Sequence, residues 1–308
     1  YVISILALNK IGAIGVLINT SLTGQPLIHC INSSYSKKCI FGAELSIPLS
    51  EVLDKINIKN KLDFLWVKDT DDYECPYWAS DLKFQLDATN INNLAITNKV
   101  TAKDIAFYIF TSGTTGVPKA ALFPNVKIIA AAVNITKGGY RMNHEDCMYN
   151  CLPLYHSTGM MLGLCACIQV GASTFIRRKF SASAFWTEVK KYNTTAFVYV
   201  GELCRYLSFQ EPSDSEKNNP MSKMVGNGLR PDLWDCFRNR FNVERIVEIY
   251  GASEGNAMFM NLLNKDATIG MTNADIALLE YDVGKDSLVK DEGLSLIHIS
   301  EPTRHTSI

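Results

Sequence analysis

Along the chain, short apolar runs alternate with stretches of helical spacing, and that rhythm predicts an α/β fold. Tyr1 to Leu8 and Ile11 to Ile18 are apolar runs broken by Asn9-Lys10. Together they have the length of a membrane span, about 20 residues. Two glycines, the lysine between the runs and the following Asn19-Thr20 favour a buried helix leading into a strand instead. Gln25 to Ser33 predicts a helix with Leu27, Ile28 and Ile31 inward, while Cys39 to Phe41 and Phe64 to Val67 predict strands. Asp69 to Glu74 reads as an acidic surface loop, and the Asn-rich Asp87 to Asn98 as a connection. Ile105 to Phe110 is apolar, aromatic-rich and too short for a helix, so a buried parallel strand is expected there.

The second half continues the pattern. Val126 to Ile135 predicts a helix whose alanines permit close packing on a sheet, and Cys151 to Ser157 a strand ending in Tyr155-His156. Ser157 to Ile176 carries no charge and also has spanning length, but Gly159, Gly163, Gly171 and Gln169 favour a buried helix followed by a strand. Arg177 to Lys179 reads as a solvated strand end, or as a contact to an anionic lipid surface. Ser183 is expected to open a helix with Phe185, Val189 and Tyr192 on one face. Ala196 to Val200 predicts a strand, Glu211 to Pro220 a polar loop, and Val225 to Arg230 a strand end with a tight glycine turn. Pro231 starts a helix with Trp234, Phe237 and Phe241 inward, and Arg245 to Ile249 forms the next strand.

Composition narrows the class. At 308 residues the chain can bury more than one core, so two or three subdomains are expected. Hydrophobic and charged fractions of 47% and 20% are those of a globular protein, and a net charge of -1 gives no pull toward nucleic acid. Nine cysteines, an odd number without C-x-x-C pairs, suggest reduced thiols inside a cell. Cys147/Cys151 and Cys165/Cys167 lack histidines at matching spacing, so buried apolar roles are favoured over metal ligation. Asn134-Ile135-Thr136 and Asn193-Thr194-Thr195 match a glycosylation pattern too short to stand against chance. The chain opens at Tyr1 without an initiator Met or signal peptide and reads as a fragment.

Two stretches carry chemistry. After the strand at Ile105 come Thr111, Ser112, Gly113, Thr114, Thr115 and Gly116, then Val117-Pro118-Lys119. Such a loop leaves backbone N–H groups uncovered, adds four hydroxyls, and can wrap a tetrahedral anion, with Lys119 supplying positive charge. That chemistry suits a polyphosphate. The spacing is not that of the common G-x-x-x-x-G-K-[ST] loop, since Ala120 stands where a metal-binding hydroxyl would be. The alternative, a flexible Ser/Thr/Gly linker, fits poorly between a buried strand and a lysine. The second stretch is Tyr250-Gly251-Ala252-Ser253-Glu254, delivered by a strand. Tyr250 offers a flat face for adenine, Gly251 removes bulk, Ser253 can bind a phosphate oxygen and Glu254 can hold Mg²⁺. His156 is a weaker candidate, since a lone histidine is more often structural, but strand ends in open α/β sheets are where ligands bind.

The nine residues TSGTTGVPK resemble the phosphate-loop signature of the adenylate-forming superfamily of acyl- and aryl-CoA ligases, adenylation domains and luciferases. YIFTSGTTGVPKAA, CLPLYHSTGM, IRRKFSASAFW, VGELCRYL, GNGLRPDLW and EIYGASEGNAMF, followed by YDVGKDSLVKDE, are similar to the fatty acid transport proteins, or very-long-chain acyl-CoA synthetases, over about residues 1 to 293. The resemblance implies that Thr111 to Lys119 bind the triphosphate of ATP. It also implies that Tyr250, with Gly251, Ala252, Ser253 and the turn Gly226, Asn227, Gly228 and Leu229, seats the adenosine end. Thr115 and Glu254 would hold Mg²⁺, and His156 would lie beside the carboxylate, making Lys119, His156 and Glu254 the catalytic set. The implied reaction joins a long- or very-long-chain fatty acid to coenzyme A through an acyl-adenylate, linked to fatty acid uptake. An intracellular, membrane-associated location is implied as well (endoplasmic reticulum, peroxisome or plasma membrane), with the anchor upstream of Tyr1.

The expected organisation is the large N-terminal lobe of the adenylate-forming fold. Residues 1–140 would form a first α/β subdomain and 141–275 a second, 276–293 would begin a β-barrel, and 294–308 would be a tail outside the family. Leu294 to His305, LSLIHISEPTRH, has the look of translated adapter read-through, or else of an edge strand. The Thr-Gly-Asp ribose segment, hinge and C-terminal domain of the family have no counterpart, so the fragment alone is expected to be inactive. A ligase for other acyl or aryl acids, and a lobe that binds ATP or lipid without turnover, stay open.

Overall fold

Apolar β-branched and aromatic runs become strands here, and the helically spaced stretches between them become helices, as the two side-chain periods require. The computed structural model describes residues 1–69, 72–87, 89–111, 117–252, 258–275, 281–282, 284, 287–291 and 295–296. The chain divides into two units, Tyr1–Val133 with Pro153–Cys165, and Asn134–Leu152 with Ala166–Ile308.

The first unit opens with α1 (Val2–Lys10), β1 (Gly15–Leu17) and α2 (Gly24–Ser33). Next come β2 (Cys39–Gly42), α3 (Ser46–Ser50), β3 (Phe64–Val67), β4 (Ser80–Asp81) and α4 (Leu82–Asp87). Strands β2, β3 and β4 form a parallel sheet, on which Leu27 and Ile31 of α2 join Phe41, Phe64 and Trp66 in one core. The apolar start is a helix and a strand, but the helix is not the buried one expected: of α1 only Ile5 is buried, while Ile3 and Leu6 are exposed. β5 (Ile105–Thr111) pairs with β1 in parallel and with β6 (Lys119–Pro124) antiparallel. The expected parallel strand is therefore half of a hairpin, with residues 112–116 between its legs. Only Ala121 and Phe123 of β6 are buried, so its inward face is too short to announce a strand. Helix α5 (Asn125–Asn134) follows.

In the second unit the helix continues as a π turn, Ile135–Tyr140, and stops at Arg141 in the left-handed conformation, φ 55°. Then come β7 (Cys147–Asn150), α6 (Ala166–Val170), β8 (Ser173–Ile176), α7 (Ala182–Lys191), β9 (Ala196–Val200) and α8 (Gly201–Ser208). β10 (Lys223–Asn227), α9 (Pro231–Asp235), β11 (Arg245–Gly251) and β12 (Met258–Met260) complete it. The six-stranded sheet has the order β12-β11-β10-β9-β7-β8 and is parallel except for β12 at its edge. Phe185, Val189, Phe197, Tyr199, Trp234, Phe237 and Phe241 fill its core, so the expected inward face of the helix from Pro231 packs as the spacing requires. That of α7 does so at Phe185 and Val189; Tyr192, expected on the same face, is the C-cap and is exposed.

Two element boundaries also need correction. Cys151 to Ser157 is a turn and not a strand: Asn150 Oδ1 accepts from the Leu152 N–H at 3.3 Å and Pro153 O from the His156 N–H at 3.1 Å, while Pro153 has no N–H for a ladder. The strand lies one step earlier, at β7. The helix expected from Ser183 begins at Ala182, because Ser181 is its N-cap and accepts from the Ala184 N–H at 3.4 Å. The uncharged stretch from Ser157 forms a π-helical segment, Thr158–Cys165, then α6 and β8. No helix among the described residues is long and apolar enough to cross a membrane.

In the region expected to begin a barrel, Tyr281–Asp282 pairs with Ser287–Leu288, and Lys290–Asp291 with Ser295–Leu296. Among the described residues these antiparallel ladders close no barrel.

Candidate functional site

In a parallel sheet all strand ends of one kind lie along one edge, and ligands bind at the carboxyl edge. In the second unit that edge carries Asn150, Val200, Asn227 and Gly251. One row of residues crosses the sheet just inside it. Gly226 on β10 stands opposite Tyr199 on β9 and opposite Glu248 on β11. With no side chain at Gly226, the Tyr199 ring lies over the strand and its hydroxyl donates to Glu248 Oε2 at 2.6 Å. A Cβ at Gly226 would come within 2.7 Å of Tyr199 Cγ and would also meet its carbonyl. Glycine is needed at this position because its neighbours cannot separate without breaking the ladder.

Glu248 is 4% exposed and braces the next turn. The N–H of Gly228 donates to Oε1, and that of Leu229 reaches both carboxylate oxygens at 3.3 Å. Three donors satisfy the buried carboxyl, which has no ion-pair partner among the described residues. Burial pushes its pKa up, and the bonds from Tyr199, Gly228 and Leu229 restrain the rise. Gly228 adopts φ +82°, a conformation that favours glycine, and its carbonyl packs against Gly201 at the start of α8, where a Cβ would collide with it.

The sequence-predicted residues separate on this frame. Asn227 and Gly228 are exposed at the turn, whereas Gly226 and Leu229 are buried, so their part is to shape the turn and not to touch a ligand. Tyr250, two residues beyond Glu248 on the same strand face, is 64% exposed and meets Phe259 edge-on at 6.1 Å. Gly251 and Ala252 follow it, both exposed. Thus Glu248, a residue that sequence reasoning missed, holds the turn at Gly228, and Tyr250 stands two residues further along its strand. The available signal was a charged residue inside the apolar strand RIVEIYG.

In the first unit, Thr111 ends β5 opposite Lys119, which begins β6, and Thr111 Oγ1 donates to Lys119 O at 3.5 Å. Lys119 is exposed and, among the described residues, makes no ion pair. His29 on α2 donates from Nε2 to Pro118 O at 2.9 Å and so anchors the leg of the hairpin beside Lys119. That anchor too was missed, because nothing local to His29 points 89 residues ahead. Ser112, Gly113, Thr114, Thr115 and Gly116 lie outside the described residues, as do Ser253 and Glu254. Among the described residues no three His, Cys, Asp or Glu side chains cluster to hold a metal ion.

His156 stands in the turn before the π-helical segment, also in the first unit. The Thr158 N–H approaches its Nδ1 at 3.3 Å, which leaves the ring proton on Nε2. The side chain keeps an exposed edge, yet the protein packed around it withdraws enough water to lower its pKa below 6.5. Nitrogen-15 NMR at pH 7 is therefore expected to show neutral His156 protonated on Nε2. A depressed histidine pKa contributes stability that is present above the unfolded value and is lost as pH falls through the folded one. A charged imidazolium at pH 7 would contradict this assignment.

Residues 1–294 match the family model described as AMP-binding enzyme. The chain is 36% identical to long-chain fatty acid transport protein 6 of Mus musculus, over 91% of this chain and 45% of that protein. It is also 36% identical to the medium/long-chain-fatty-acid–CoA ligase FadD6 of Mycobacterium tuberculosis, over 94% of this chain and 46% of that one. It thus spans about half the length of these relatives. Its fold matches that of the inhibitor-bound N-terminal domain of FACL13 from Mycobacterium tuberculosis, with a TM-score of 0.72 and 18% identity, over 93% of this chain and 69% of that one. The family model over nearly the whole chain and these relatives agree: the chain belongs to the AMP-binding enzyme family, on its fatty acid transport protein and very-long-chain acyl-CoA synthetase branch.

Proposed function

We propose that the protein is an ATP-dependent fatty acid:CoA ligase acting on long or very long chains, tied to fatty acid uptake at a membrane. The observation that carries this reading is the exposed Tyr250 ring at the carboxyl edge of a parallel sheet, two residues beyond buried Glu248, whose carboxylate accepts from the Gly228 N–H of the turn after the neighbouring strand. A flat aromatic face next to an exposed peptide turn suits a purine.

In the first step a carboxylate oxygen attacks the α-phosphorus of ATP, and the bond to pyrophosphate breaks. In the second the thiol of coenzyme A gives up its proton to water and its sulfur attacks the acyl carbon; the bond from that carbon to the bridging oxygen breaks, and AMP leaves with that oxygen and the electron pair. The mixed anhydride is needed because a carboxylate is a poor acyl donor. Tyr250, Gly251, Ala252 and the turn Gly226–Leu229 hold the adenosine end in this reading. Thr111, residues 112–116 and Lys119 hold the phosphates, and Ser253 adds a hydroxyl. Neutral His156 can donate from Nε2 to a carboxylate or phosphate oxygen without carrying charge. Mg²⁺, proposed at Thr115 and Glu254, would supply charge neutralisation on the phosphates.

A panel of carboxylic acids in ATP–pyrophosphate exchange tests the reading. Exchange is expected with acids of long and very long chain and not with benzoate or amino acids. Preference for an aromatic acid would assign the protein to another ligase class, and ATP binding without exchange would leave a non-catalytic binder.

A further inference from the structure

We infer that Arg141, Arg238 and Arg245 form a separate anion site, for a phosphate group, at the amino edge of the six-stranded sheet. The proposed nucleotide seat lies at the strand ends, and this cluster lies at the strand starts. Arg245 opens β11 and is half-buried. Its Nε donates to Gly139 O at 2.5 Å, and its Nη2 donates to Gly138 O at 2.6 Å and to Leu262 O at 3.2 Å. Its Nη1 has no partner among the described residues, and no carboxylate there pairs with the guanidinium. Arg141 leaves the same π turn two residues after Gly139; it is exposed and makes no ion pair among the described residues. Arg238 stands on the other side. Its Nη2 donates to Asn264 Oδ1 at 2.9 Å, and that oxygen also accepts from the Ile246 N–H, next to Arg245.

Three guanidinium groups are thus gathered with little opposing charge. Asp266 is committed to Arg238 at 2.8 Å, and Asp146 to Lys223, the ladder partner of Arg245. Burial, and after it the like charges of Arg141 and Arg238, lower the Arg245 pKa. A half-buried cation repelled by its neighbours is relieved by an anion, and guanidinium groups match phosphate oxygens in both charge and geometry. The turn beside them is held in shape by Asn261, which accepts from the Lys265 N–H at 3.0 Å and donates to the Lys265 carbonyl at 2.6 Å. A phosphate group can come from solution or from a lipid headgroup. Leu262 and Leu263 on that turn are exposed, and leucines beside arginines suit a bilayer interface, so the lipid-borne group should bind more tightly.

Two probes distinguish the sources. One is inorganic phosphate, followed by the Arg245 Nε–H signal in nitrogen-15 NMR. The other is phosphatidylcholine vesicles with and without phosphatidic acid, followed by co-sedimentation. Both are applied to the unaltered protein, Arg141→Asn, Lys119→Ala and Lys37→Gln, and the vesicles also to Arg245→Gln. The unaltered protein should show the signal shift and bind the vesicles that contain phosphatidic acid. Arg141→Asn should weaken either by about tenfold, the worth of one charge-assisted hydrogen bond. Asparagine tolerates the left-handed backbone at this position, and the change breaks no bond among the described residues. Arg245→Gln should weaken vesicle binding as well; because it also loses bonds to three carbonyls, Arg141→Asn carries the test if that variant does not fold. Lys119→Ala should change neither readout, since the proposed polyphosphate loop belongs to the other unit. Binding lost there would assign the phosphate to that loop and overturn the inference while leaving the proposed function standing. Lys37→Gln removes an equal charge from the first unit and should also change nothing; a loss equal to that of Arg141→Asn would show general charge attraction alone and overturn the inference. A shift without vesicle binding would identify soluble phosphate as the ligand, and vesicle binding without a shift the lipid headgroup. Neither response in the unaltered protein would overturn the inference.

Discussion

Lys119→Ala is expected to slow adenylate formation by roughly a hundred- to a thousandfold, about 2.7–4 kcal/mol of transition-state stabilisation. Negative charge builds on the polyphosphate as pyrophosphate departs, and a fixed ammonium opposes it without reorganising. The position of Lys119 is set by backbone pairing: it opens β6 opposite Thr111, and the neighbouring Pro118 carbonyl is held by His29. Replacing an exposed side chain leaves those bonds in place, so the loss should appear in rate and not in folding. Pyrophosphate exchange in the altered protein, with its unfolding curve as control, checks this. An unchanged exchange rate would remove Lys119 from the catalytic set.

Asp146→Ala should destabilise the second unit by about 3–5 kcal/mol, the usual cost of removing one partner from a buried ion pair. Asp146 is 7% exposed and lies at the edge of the sheet opposite the proposed adenine seat. It accepts from Lys223 Nζ at 2.9 and 3.0 Å, from Thr195 Oγ1 at 2.7 Å and from the Asn143 N–H at 2.8 Å. The Thr195 oxygen in turn accepts from the Cys147 N–H, so one carboxylate ties the starts of β7, β9 and β10. Burial alone would raise its pKa, but the bonds from Thr195, Lys223 and Asn143 and the charge of Lys223 outweigh it and hold the carboxyl below its usual range. A depressed carboxylate pKa contributes stability that is present above the unfolded value, about 3.9, and is lost as pH falls through the folded one. Urea unfolding at pH 7 should therefore separate the two proteins widely, and at pH 2 the gap should shrink. Adding Lys223→Met to Asp146→Leu should recover much of the loss, because an apolar pair of similar volume leaves no buried charge. A single variant as stable as the unaltered protein would show the pair to be dispensable.

The sequence by itself determined the α/β rhythm, because the two side-chain periods are local properties of the chain. Strands at Cys39, Phe64, Ala196 and Arg245 and the helices before Cys39, Ala196 and Arg245 stand where the apolar runs place them, whereas α3, α4 and α8 were not read from the sequence. It also marked the TSGTTGVPK stretch and Tyr250, since their chemistry lies in consecutive residues. Tertiary structure decided what depends on neighbours distant in sequence. Lys119 proved to open a strand because β5 offered an antiparallel partner, and Cys151 to Ser157 turned because Asn150 and Pro153 captured its amides. Gly226 and Leu229 turned inward while Asn227 and Gly228 faced out, a division that no spacing within four residues expresses. Glu248 reads in sequence as an odd charge in an apolar strand. It became the brace of the site only when Tyr199, 49 residues earlier, and Gly228, 20 residues earlier, were folded against it, since a buried carboxylate survives only where donors converge on it.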